Sequence, residues 1–165
     1  MGLYDKIYLS RITHIQNIPH ILKYGITHYS SPQANLNFHP IGDPTLINTR
    51  KNLAIPNGKR LGDFIPFYFS VRTPMLYVIQ NGKNNVPITP AQDIVYCITS
   101  VQKILEAGNS FVFSDGHAVA YGVTRFKEKS EISDIENFID KKAIESRYWK
   151  DEKDIDLKRR KEAEF

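Results

Sequence analysis

The chain has 165 residues, the length of a single domain, and can bury about 70% of its unfolded surface. Its content of 41% hydrophobic and 12% aromatic residues excludes an intrinsically disordered protein. The 22 lysines and arginines outnumber the 18 aspartates and glutamates, and the resulting charge of +4 is compatible with a polyanionic partner without requiring one.

The first part of the chain predicts short elements followed by a long loop. Residues 6–9 predict a strand, and residues 17–25 predict a helix because they contain a capping residue, an early proline and a closing glycine. Residues 29–63 are rich in Asn, Pro, Gly and His and predict a loop with a turn of helix at residues 44–51. A loop of this length inside a compact domain is typical of a functional segment.

The rest of the chain predicts further short strands and helices. Strands are predicted at residues 64–69, 93–99 and 111–113, and from near Ile155 onward. Helices are predicted at residues 75–80, 100–108 and 133–140, the last opened by a capping-box pattern. Because regular βαβ spacing is missing, the sequence predicts an α+β fold with a mixed, largely antiparallel sheet in one domain.

Cysteine usage and hydropathy favour a cytoplasmic protein. The single cysteine, Cys97, lies in an apolar run and excludes an intrachain disulfide. No apolar run approaches the roughly 20 residues that a membrane-spanning helix needs. Since a signal peptide is not recognisable either, we expect a soluble cytoplasmic protein without a membrane partner.

Three positions are candidates for binding an anion or an amide. Arg50 offers a planar guanidinium that matches phosphate oxygens or polarises a base, although an exposed loop arginine explains it equally well. His117 follows the turn formed by Ser114-Asp115-Gly116 at the end of a predicted strand, where it either serves a site or satisfies local backbone groups. The segment Arg11-Ile12-Thr13-His14 precedes the first helix, and its amides either bind a ligand or cap that helix.

Two common kinds of site are not indicated. The five histidines lack the spacing of metal ligands and there is no cysteine pair, so we expect no metal. A Gly-x-Gly-x-x-Gly loop is absent, which argues against a Rossmann dinucleotide site.

The chain ends in Lys158-Arg159-Arg160-Lys161 followed by Glu162-Ala163-Glu164-Phe165. A carboxylate at the start of a strand can orient a sugar hydroxyl or stabilise a cationic transition state, and neighbouring cations can hold phosphates. A solvated charged tail is the alternative interpretation.

Six segments in a fixed order make the chain resemble one family. They are Arg11-Ile12-Thr13-His14-Ile15 with Asn17-Ile18-Pro19, Leu46-Ile47 with Arg50, Asp63-Phe64-Ile65-Pro66-Phe67-Tyr68-Phe69, Thr73-Pro74-Met75-Leu76, Phe111-Val112-Phe113-Ser114-Asp115-Gly116-His117-Ala118 and Glu162-Ala163-Glu164. Each is weak by itself, but their order over nearly the whole chain is similar to the DarT family, the DNA ADP-ribosyltransferase toxins of a toxin–antitoxin system.

The resemblance implies an ADP-ribosyltransferase-like fold and a NAD⁺-dependent transferase. Such a toxin moves ADP-ribose from NAD⁺, its substrate, to a base of single-stranded DNA, with thymine as the acceptor in the branch that the chain most resembles. It also implies a partner antitoxin with a macrodomain that removes the modification. Modification of guanine or of protein, or an inactive module that only binds NAD⁺ or DNA, are the alternatives.

Family positions also imply roles for particular residues. Glu164, Arg50 and His117 correspond to catalytic positions. The positions expected to bind NAD⁺ are Arg11, Ile12, Thr13, His20, His28 and Arg50. Family members continue beyond the glutamate, so we expect residues 1–165 to be one domain that lacks its C-terminal strands, with a bare sheet edge beside Glu164.

Overall fold

The computed structural model describes residues 3–56, 58–120 and 122–165. The helices are α1 (Ile18–Tyr24), α2 (Pro44–Asn52), α3 (Pro74–Asn81), α4 (Val101–Glu106), α5 (Ile135–Phe138), α6 (Lys141–Glu145) and α7 (Leu157–Lys161). The strands are β1 (Tyr8–His14), β2 (Ile94–Ser100), β3 (Val112–Ser114) and β4 (Phe126–Glu128). Short 3-10 helices lie at Leu3–Lys6, Ile15–Asn17, Leu61–Asp63, Lys83–Asn85, Ala91–Asp93 and Lys129–Asp134. Within the described ranges, every helix is too short or too polar to cross a bilayer.

The strands pair in two small sheets, and the chain divides into two compact units. β1 pairs with β2, and β3 pairs antiparallel with β4. The first unit contains the described residues of Met1–Arg11, Pro66–Pro74 and Ile98–Phe165, and the second contains those of Ile12–Ile65 and Met75–Cys97. Short helices with small antiparallel pairings confirm the predicted α+β class, whereas the single-domain organisation stays a prediction.

In the first unit, a series of neighbouring backbone pairings includes Glu164. Ser10 exchanges two hydrogen bonds with Tyr68, at 2.8 and 2.7 Å, and Tyr68 forms an antiparallel bridge with Glu164. On the other side, the Ser114 N–H donates to the Glu164 carbonyl at 2.9 Å, and Ser114 pairs with Phe126 of β4. Glu164 is therefore paired on both sides, which corrects the expectation of a bare edge beside it.

Two predicted strands are wrong. The segment from Ile155 instead forms α7, because lysine and arginine are good helix formers, and pairing resumes only at Glu164. Residues 64–69 contribute only two isolated bridges, both at Tyr68, to Ser10 and to Glu164, in keeping with Pro66, which has no N–H to donate to a neighbouring strand.

Most other predicted elements are confirmed with shifted bounds. The helices predicted at residues 17–25, 75–80 and 100–108 are α1, α3 and α4, and the Ser100 hydroxyl caps α4 by accepting the Lys103 N–H at 3.3 Å. The strands predicted at residues 93–99 and 111–113 are β2 and β3.

Other elements differ more from expectation. The strand expected at residues 6–9 lies at Tyr8–His14 instead, so it carries the segment Arg11-Ile12-Thr13-His14, which was expected to follow the strand. The helix predicted over residues 133–140 is only α5, preceded by a 3-10 helix whose capping box joins Glu128 and Glu131. β4 has three residues and no clear alternation of apolar and polar side chains, so no sequence signal predicted it.

The core of the first unit is aromatic. Phe113 is 1% exposed, meets the Phe138 ring edge-on at 5.5 Å and stacks with Phe165 at 6.2 Å. Phe165 also stacks on Phe111 at 4.4 Å. The other buried members of this cluster are Leu9, Val101, Ile135, Ile139 and Ala163. The residue after Glu164 is thus locked in the core, which fixes the end of this segment.

The second unit has a smaller set of buried apolar side chains, which comprises Ile55, Leu61, Ile79 and Val86. Its closest backbone approach is at Gly62, where an added Cβ would lie 2.6 Å from the Lys51 Cα. Glycine is therefore required at this position for residues 61–63 to pack on the end of α2.

Replacing Phe113 by alanine is expected to lower the free energy of unfolding by about 3–5 kcal/mol, because the surrounding rings cannot close the cavity. Urea unfolding of the purified chain measures the change. Phe38→Ala is the control, since Phe38 is 49% exposed and should change stability little. Equal effects of the two substitutions would contradict a core centred on Phe113.

Candidate active site

The backbone of Glu164 is fixed on both sides in the first unit. Its N–H donates to the Ser114 hydroxyl at 3.1 Å, in addition to the carbonyl bond from the Ser114 N–H. Phe165 exchanges two hydrogen bonds with Phe67, at 2.8 and 3.0 Å, and the Ala163 carbonyl accepts the Phe69 N–H at 3.2 Å. Each of residues 163–165 is therefore held by backbone hydrogen bonds, and the Glu164 side chain projects from a fixed backbone.

The Glu164 carboxylate is buried and held by two groups of the turn after β3. The residue is only 4% exposed. Its Oε1 accepts the Ala118 N–H at 3.0 Å and lies 3.2 Å from Nδ1 of His117. A buried carboxylate is stabilised by such donors, which replace the water that it has lost. The structure thus brings together two of the predicted site residues, Glu164 and His117.

The contact with Glu164 determines which ring nitrogen of His117 carries a proton. An ionised carboxylate can only accept hydrogen bonds, so Nδ1 of His117 must be the donor. The histidine side chain is 22% exposed, whereas that of the glutamate is 5% exposed. His117 is therefore the more exposed member of the pair.

The turn that carries His117 is tied down by Ser114, the last residue of β3. The Ser114 hydroxyl donates to the Gly116 carbonyl at 2.7 Å while it accepts the Glu164 N–H. The His117 N–H donates to the Arg159 carbonyl at 2.8 Å, and the His117 carbonyl accepts the Thr124 hydroxyl at 2.8 Å. Both backbone polar groups of His117 are thus satisfied by other segments.

Asp115 connects this turn to two arginines. Its Oδ1 accepts the Arg125 N–H at 3.0 Å and Nη1 of Arg159 at 2.9 Å, and its Oδ2 accepts Nε of Arg125 at 2.7 Å. Burial by itself would raise the pKa of Asp115, but the hydrogen bonds from Arg125 and Arg159 outweigh it, so the pKa lies below its usual value. Asp115 is therefore an ionised, buried partner of both cations.

The four consecutive cations of α7 do not act as one group. Lys158 is exposed. Arg159 binds Asp115 and also Asp156, the latter through Nε at 2.7 Å. Arg160 forms ion pairs with Asp140, Asp154 and Asp156. The alternative of a solvated charged tail is thus wrong for Arg159 and Arg160, which hold the fold together.

Lys161 is 1% exposed and uses its ammonium group as a structural donor. Nζ donates to the Ile144 carbonyl at 3.0 Å, the Ser146 carbonyl at 2.5 Å and the Ser70 hydroxyl at 3.3 Å. Burial, and after it the charge of Arg72, lowers the pKa of Lys161. The three hydrogen bonds offset part of this cost and attach the end of α7 to the end of α6.

The residues expected to bind NAD⁺ begin on β1. Arg11, in the first unit, donates from Nη1 to the Pro66 carbonyl at 2.9 Å. Ile12 and Thr13 follow on the strand in the second unit, and the buried Thr13 hydroxyl accepts the side-chain amide of Asn17 at 3.0 Å.

Asn17 was predicted to cap α1 but makes no side-chain capping bond there. Its amide instead brackets His39, donating to the carbonyl at 2.9 Å and accepting the N–H at 2.8 Å. The imidazole of His39 stacks on that of His14 at 3.9 Å. The end of β1 is therefore attached to the long loop, a connection that the sequence did not indicate.

His20 and His28 lie elsewhere in the second unit. His20 follows Pro19 in α1 and contacts the Thr27 hydroxyl at 3.2 Å. Nε2 of His28 lies 2.8 Å from the Gly62 carbonyl, so it must be the protonated nitrogen, and Nδ1 faces the Ser30 hydroxyl at 2.7 Å. Each histidine thus braces the loop beside it.

Arg50 occupies the last turn of α2, whose start is capped by Asp43. The Asp43 carboxylate accepts the N–H groups of Thr45 and Leu46 at 2.8 and 3.3 Å. The arginine is half-buried, and the close approach of Gly62 supports the backbone at this end of the helix. The turn of helix predicted at residues 44–51 is therefore confirmed as α2, and this helix presents Arg50.

Across residues 3–56, 58–120 and 122–165, no three His, Cys, Asp or Glu side chains cluster in a way that could hold a metal ion.

Solved structures and curated relatives match this arrangement over most of the chain. The structures of Thermus sp. 2.9 DarT with ADP-ribosylated ssDNA and with NAD⁺ match with TM-scores of 0.79 and 0.75, both at 31% identity. They cover 96% and 98% of this chain and 73% and 75% of theirs. The chain thus has the fold of an ADP-ribosyltransferase that acts on DNA.

Sequence comparison gives the family. The chain matches "ssDNA thymidine ADP-ribosyltransferase, DarT" over residues 10–165. It is 34% identical over 158 residues to the DNA ADP-ribosyl transferase of Thermus sp. (strain 2.9), covering 93% of this chain and 71% of the relative. It is 32% identical over 144 residues to a DNA ADP-ribosyl transferase-DNA ADP-ribosyl glycohydrolase fusion protein of Thermosipho africanus, covering 86% of this chain and 34% of the fusion. The chain belongs to the DarT family.

The ion pairs of Asp115 predict a pH-dependent stability difference. Asp115→Asn removes the charge that binds Arg125 and Arg159, which should cost roughly 1–3 kcal/mol at neutral pH. Because the pKa is lowered by folding, this contribution is present above the unfolded value of about 4 and is lost as the pH falls through the folded value. Urea unfolding across this range measures it.

Asp151→Asn, on an exposed turn, is the control and should show no such dependence. A stability difference between the wild type and Asp115→Asn that does not shrink in acid would contradict the assignment.

Proposed function

We propose that this chain transfers ADP-ribose from NAD⁺ to a thymine base of single-stranded DNA, with Glu164 as the catalytic carboxylate. The observation that carries the proposal is the buried Glu164 carboxylate, held by the Ala118 N–H and His117. Membership of the DarT family and the NAD⁺ and ADP-ribosylated ssDNA complexes of the Thermus protein support the substrates. The protein acts as a DNA-modifying toxin.

A carboxylate suits the bond that must break. Cleavage of the C1′–N bond of NAD⁺ sends the electron pair to nicotinamide and leaves an oxocarbenium-like ribose. A carboxylate near the 2′-hydroxyl stabilises this developing positive charge more than it stabilises the neutral ribose of the ground state. Because Glu164 is already desolvated and positioned, little reorganisation is needed when the charge develops.

The acceptor nitrogen of thymine, N3, must lose its proton as it bonds to C1′. Arg50 is not suited to remove it, because the pKa of a guanidinium exceeds about 12. In the proposal Arg50 stabilises the deprotonated base or the diphosphate of NAD⁺, and the proton passes to Glu164. His117, at the third active-site position, is a positioning residue that holds the Glu164 carboxylate through Nδ1.

The NAD⁺-binding residues proposed are Arg11, Ile12, Thr13, His20 and His28, together with Arg50. The segment at residues 11–13 takes the nicotinamide end, in agreement with family position. Its support within the fold is the Arg11 bond to Pro66 and the Asn17 bond to Thr13.

Single-stranded DNA is the appropriate acceptor because a base within a duplex is stacked and inaccessible to the ribose. The segment predicted as a long loop, residues 29–63, contains Lys51, Lys59 and Arg60, of which Lys51 lies 6.0 Å from the Tyr29 ring. Cations beside aromatic rings are typical of surfaces that bind single strands. We assign these residues to DNA binding, and the chain to the cytoplasm, where DNA and NAD⁺ are both present.

Incubation of the protein with NAD⁺ and a thymidine-containing single-stranded oligonucleotide should add the mass of one ADP-ribose, as measured by intact-mass spectrometry. Glu164→Gln should reduce the rate at least about 1,000-fold, since it removes the charge that stabilises the transition state. Glu152→Gln, on an exposed turn of the same unit, should retain full activity.

Oligonucleotide composition separates the proposal from its alternatives. A mass shift on an oligonucleotide with guanine but no thymine, or on protein, would replace thymine as the acceptor. Stabilisation of the chain by NAD⁺ without release of nicotinamide would indicate a binding module, and no mass shift on any oligonucleotide would exclude the transferase.

The partner proposed is an antitoxin with a macrodomain that removes ADP-ribose. The fusion of a DNA ADP-ribosyl transferase to a glycohydrolase in the Thermosipho relative supports this pairing. Adding such a glycohydrolase to the modified oligonucleotide should restore its original mass. A modification that resists the glycohydrolase would show that its linkage or acceptor base differs from the proposed one.

A further inference from the structure

Arg159 lies in α7, five residues before Glu164, and contacts the turn that carries His117. Its carbonyl accepts the His117 N–H at 2.8 Å. Its Nη1 donates to Asp115 at 2.9 Å and to the Thr124 hydroxyl at 3.3 Å. The Thr124 hydroxyl in turn donates to the His117 carbonyl at 2.8 Å. One side chain therefore controls the residues on both sides of His117.

The turn that carries His117 packs tightly against Arg159. A Cβ at Gly116 would lie 2.3 Å from Nη1 of Arg159 and 2.9 Å from its carbonyl oxygen. The Arg159 side chain is only 15% exposed and is held from behind by Asp156, through bonds of 2.7 and 2.8 Å. A guanidinium that binds carboxylates on two sides has little freedom to move. The turn that carries His117 packs against this guanidinium and is therefore restricted as well.

The same segment closes the other end of the turn through Glu164. The carboxylate accepts the Ala118 N–H and the His117 Nδ1 proton, five residues after Arg159 in the sequence. The turn is thus clamped between a guanidinium and a carboxylate that belong to one short stretch of chain. A shift of the turn moves the donors that orient the carboxylate.

We propose that Arg159 is a positioning residue for the reaction, which sets the orientation of the Glu164 carboxylate through Asp115, Thr124 and His117. This inference rests on the proposed function of Glu164. In this proposal Arg159 acts on Glu164 through these residues and not through contact with the substrate. Its loss reduces the rate of transfer because the carboxylate rotates away from the ribose, while the binding of NAD⁺ is retained.

The test compares Arg159→Gln with Arg160→Gln. The control removes the same charge from the same helix, but Arg160 directs its guanidinium to Asp140, Asp154 and Asp156. With NAD⁺ and a thymidine oligonucleotide, Arg159→Gln should lower kcat about 100-fold, as expected for a displacement of about 1 Å, and leave KM for NAD⁺ within about threefold. Arg160→Gln should change both by less than about threefold.

A milder variant covers the case in which Arg159→Gln does not fold. Thr124→Val removes the hydroxyl between Arg159 and His117 and should lower kcat about tenfold, again without a change in KM. Equal kcat values for the variants at Arg159 and Thr124 and for Arg160→Gln would overturn the proposal, as would a loss that lies in KM alone.

NMR of the His117 ring provides a readout that does not require turnover. Long-range ¹H–¹⁵N couplings should identify the Nδ1-protonated form in the wild type and in Arg160→Gln, and a shift toward the Nε2-protonated form in Arg159→Gln. An unchanged ring in Arg159→Gln would contradict the positioning role. If the wild type transfers no ADP-ribose, the proposed function fails, and this measurement by itself decides whether Arg159 orients His117.

Discussion

Holding the buried Glu164 carboxylate in a fixed orientation is the constraint on which the rest of the first unit depends. Glu164 loses its water when the unit folds, so the protein must supply donors in fixed places. The Ala118 N–H and His117 do so, but only because the turn after β3 is held in register with the final segment by Ser114. The aromatic residues Phe113 and Phe165, which adjoin Ser114 and Glu164 in the sequence, anchor both segments in the core.

The charges of the final segment support the same constraint. Arg159 and Arg160 form ion pairs with aspartates, and Lys161 donates hydrogen bonds to two carbonyls and a hydroxyl. Isolated surface ion pairs contribute little to stability, but Asp115 is buried, and removing one partner of a buried pair leaves an uncompensated charge. Arg159 thus ties the final segment to the turn beside Glu164 and Lys161 ties it to the end of α6, and no phosphate needs to be invoked to explain Arg159, Arg160 or Lys161.

Local signals in the sequence predicted helices better than strands. Capping residues, prolines and glycines mark α1, α3 and α4, and such marks act over a few neighbouring residues. The pairing of Tyr68 with Ser10 and Glu164 depends on partners 58 residues or more away, for which no local pattern exists. The order of the motifs predicted Glu164 and His117 as members of one site. It did not predict the hydrogen bonds between them or the roles of Asp115 and Arg159 in holding them, because these contacts join residues that are distant in the sequence. Arg159 in particular looked like one member of a uniform charged run.

The amide of Asn17 has a consequence for how the long loop can vary. By donating to the His39 carbonyl and accepting its N–H, this side chain reproduces the contacts of a neighbouring strand and fixes one point 22 residues along the chain. Insertions or deletions between α1 and His39 can therefore be absorbed without disturbing the stretch from His39 into α2. Length variation after His39 would shift Arg50 directly. In the replacement Asn17→Asp, a carboxylate oxygen would face the His39 carbonyl, and both groups are acceptors. This conservative replacement would therefore disrupt the pair of hydrogen bonds to His39.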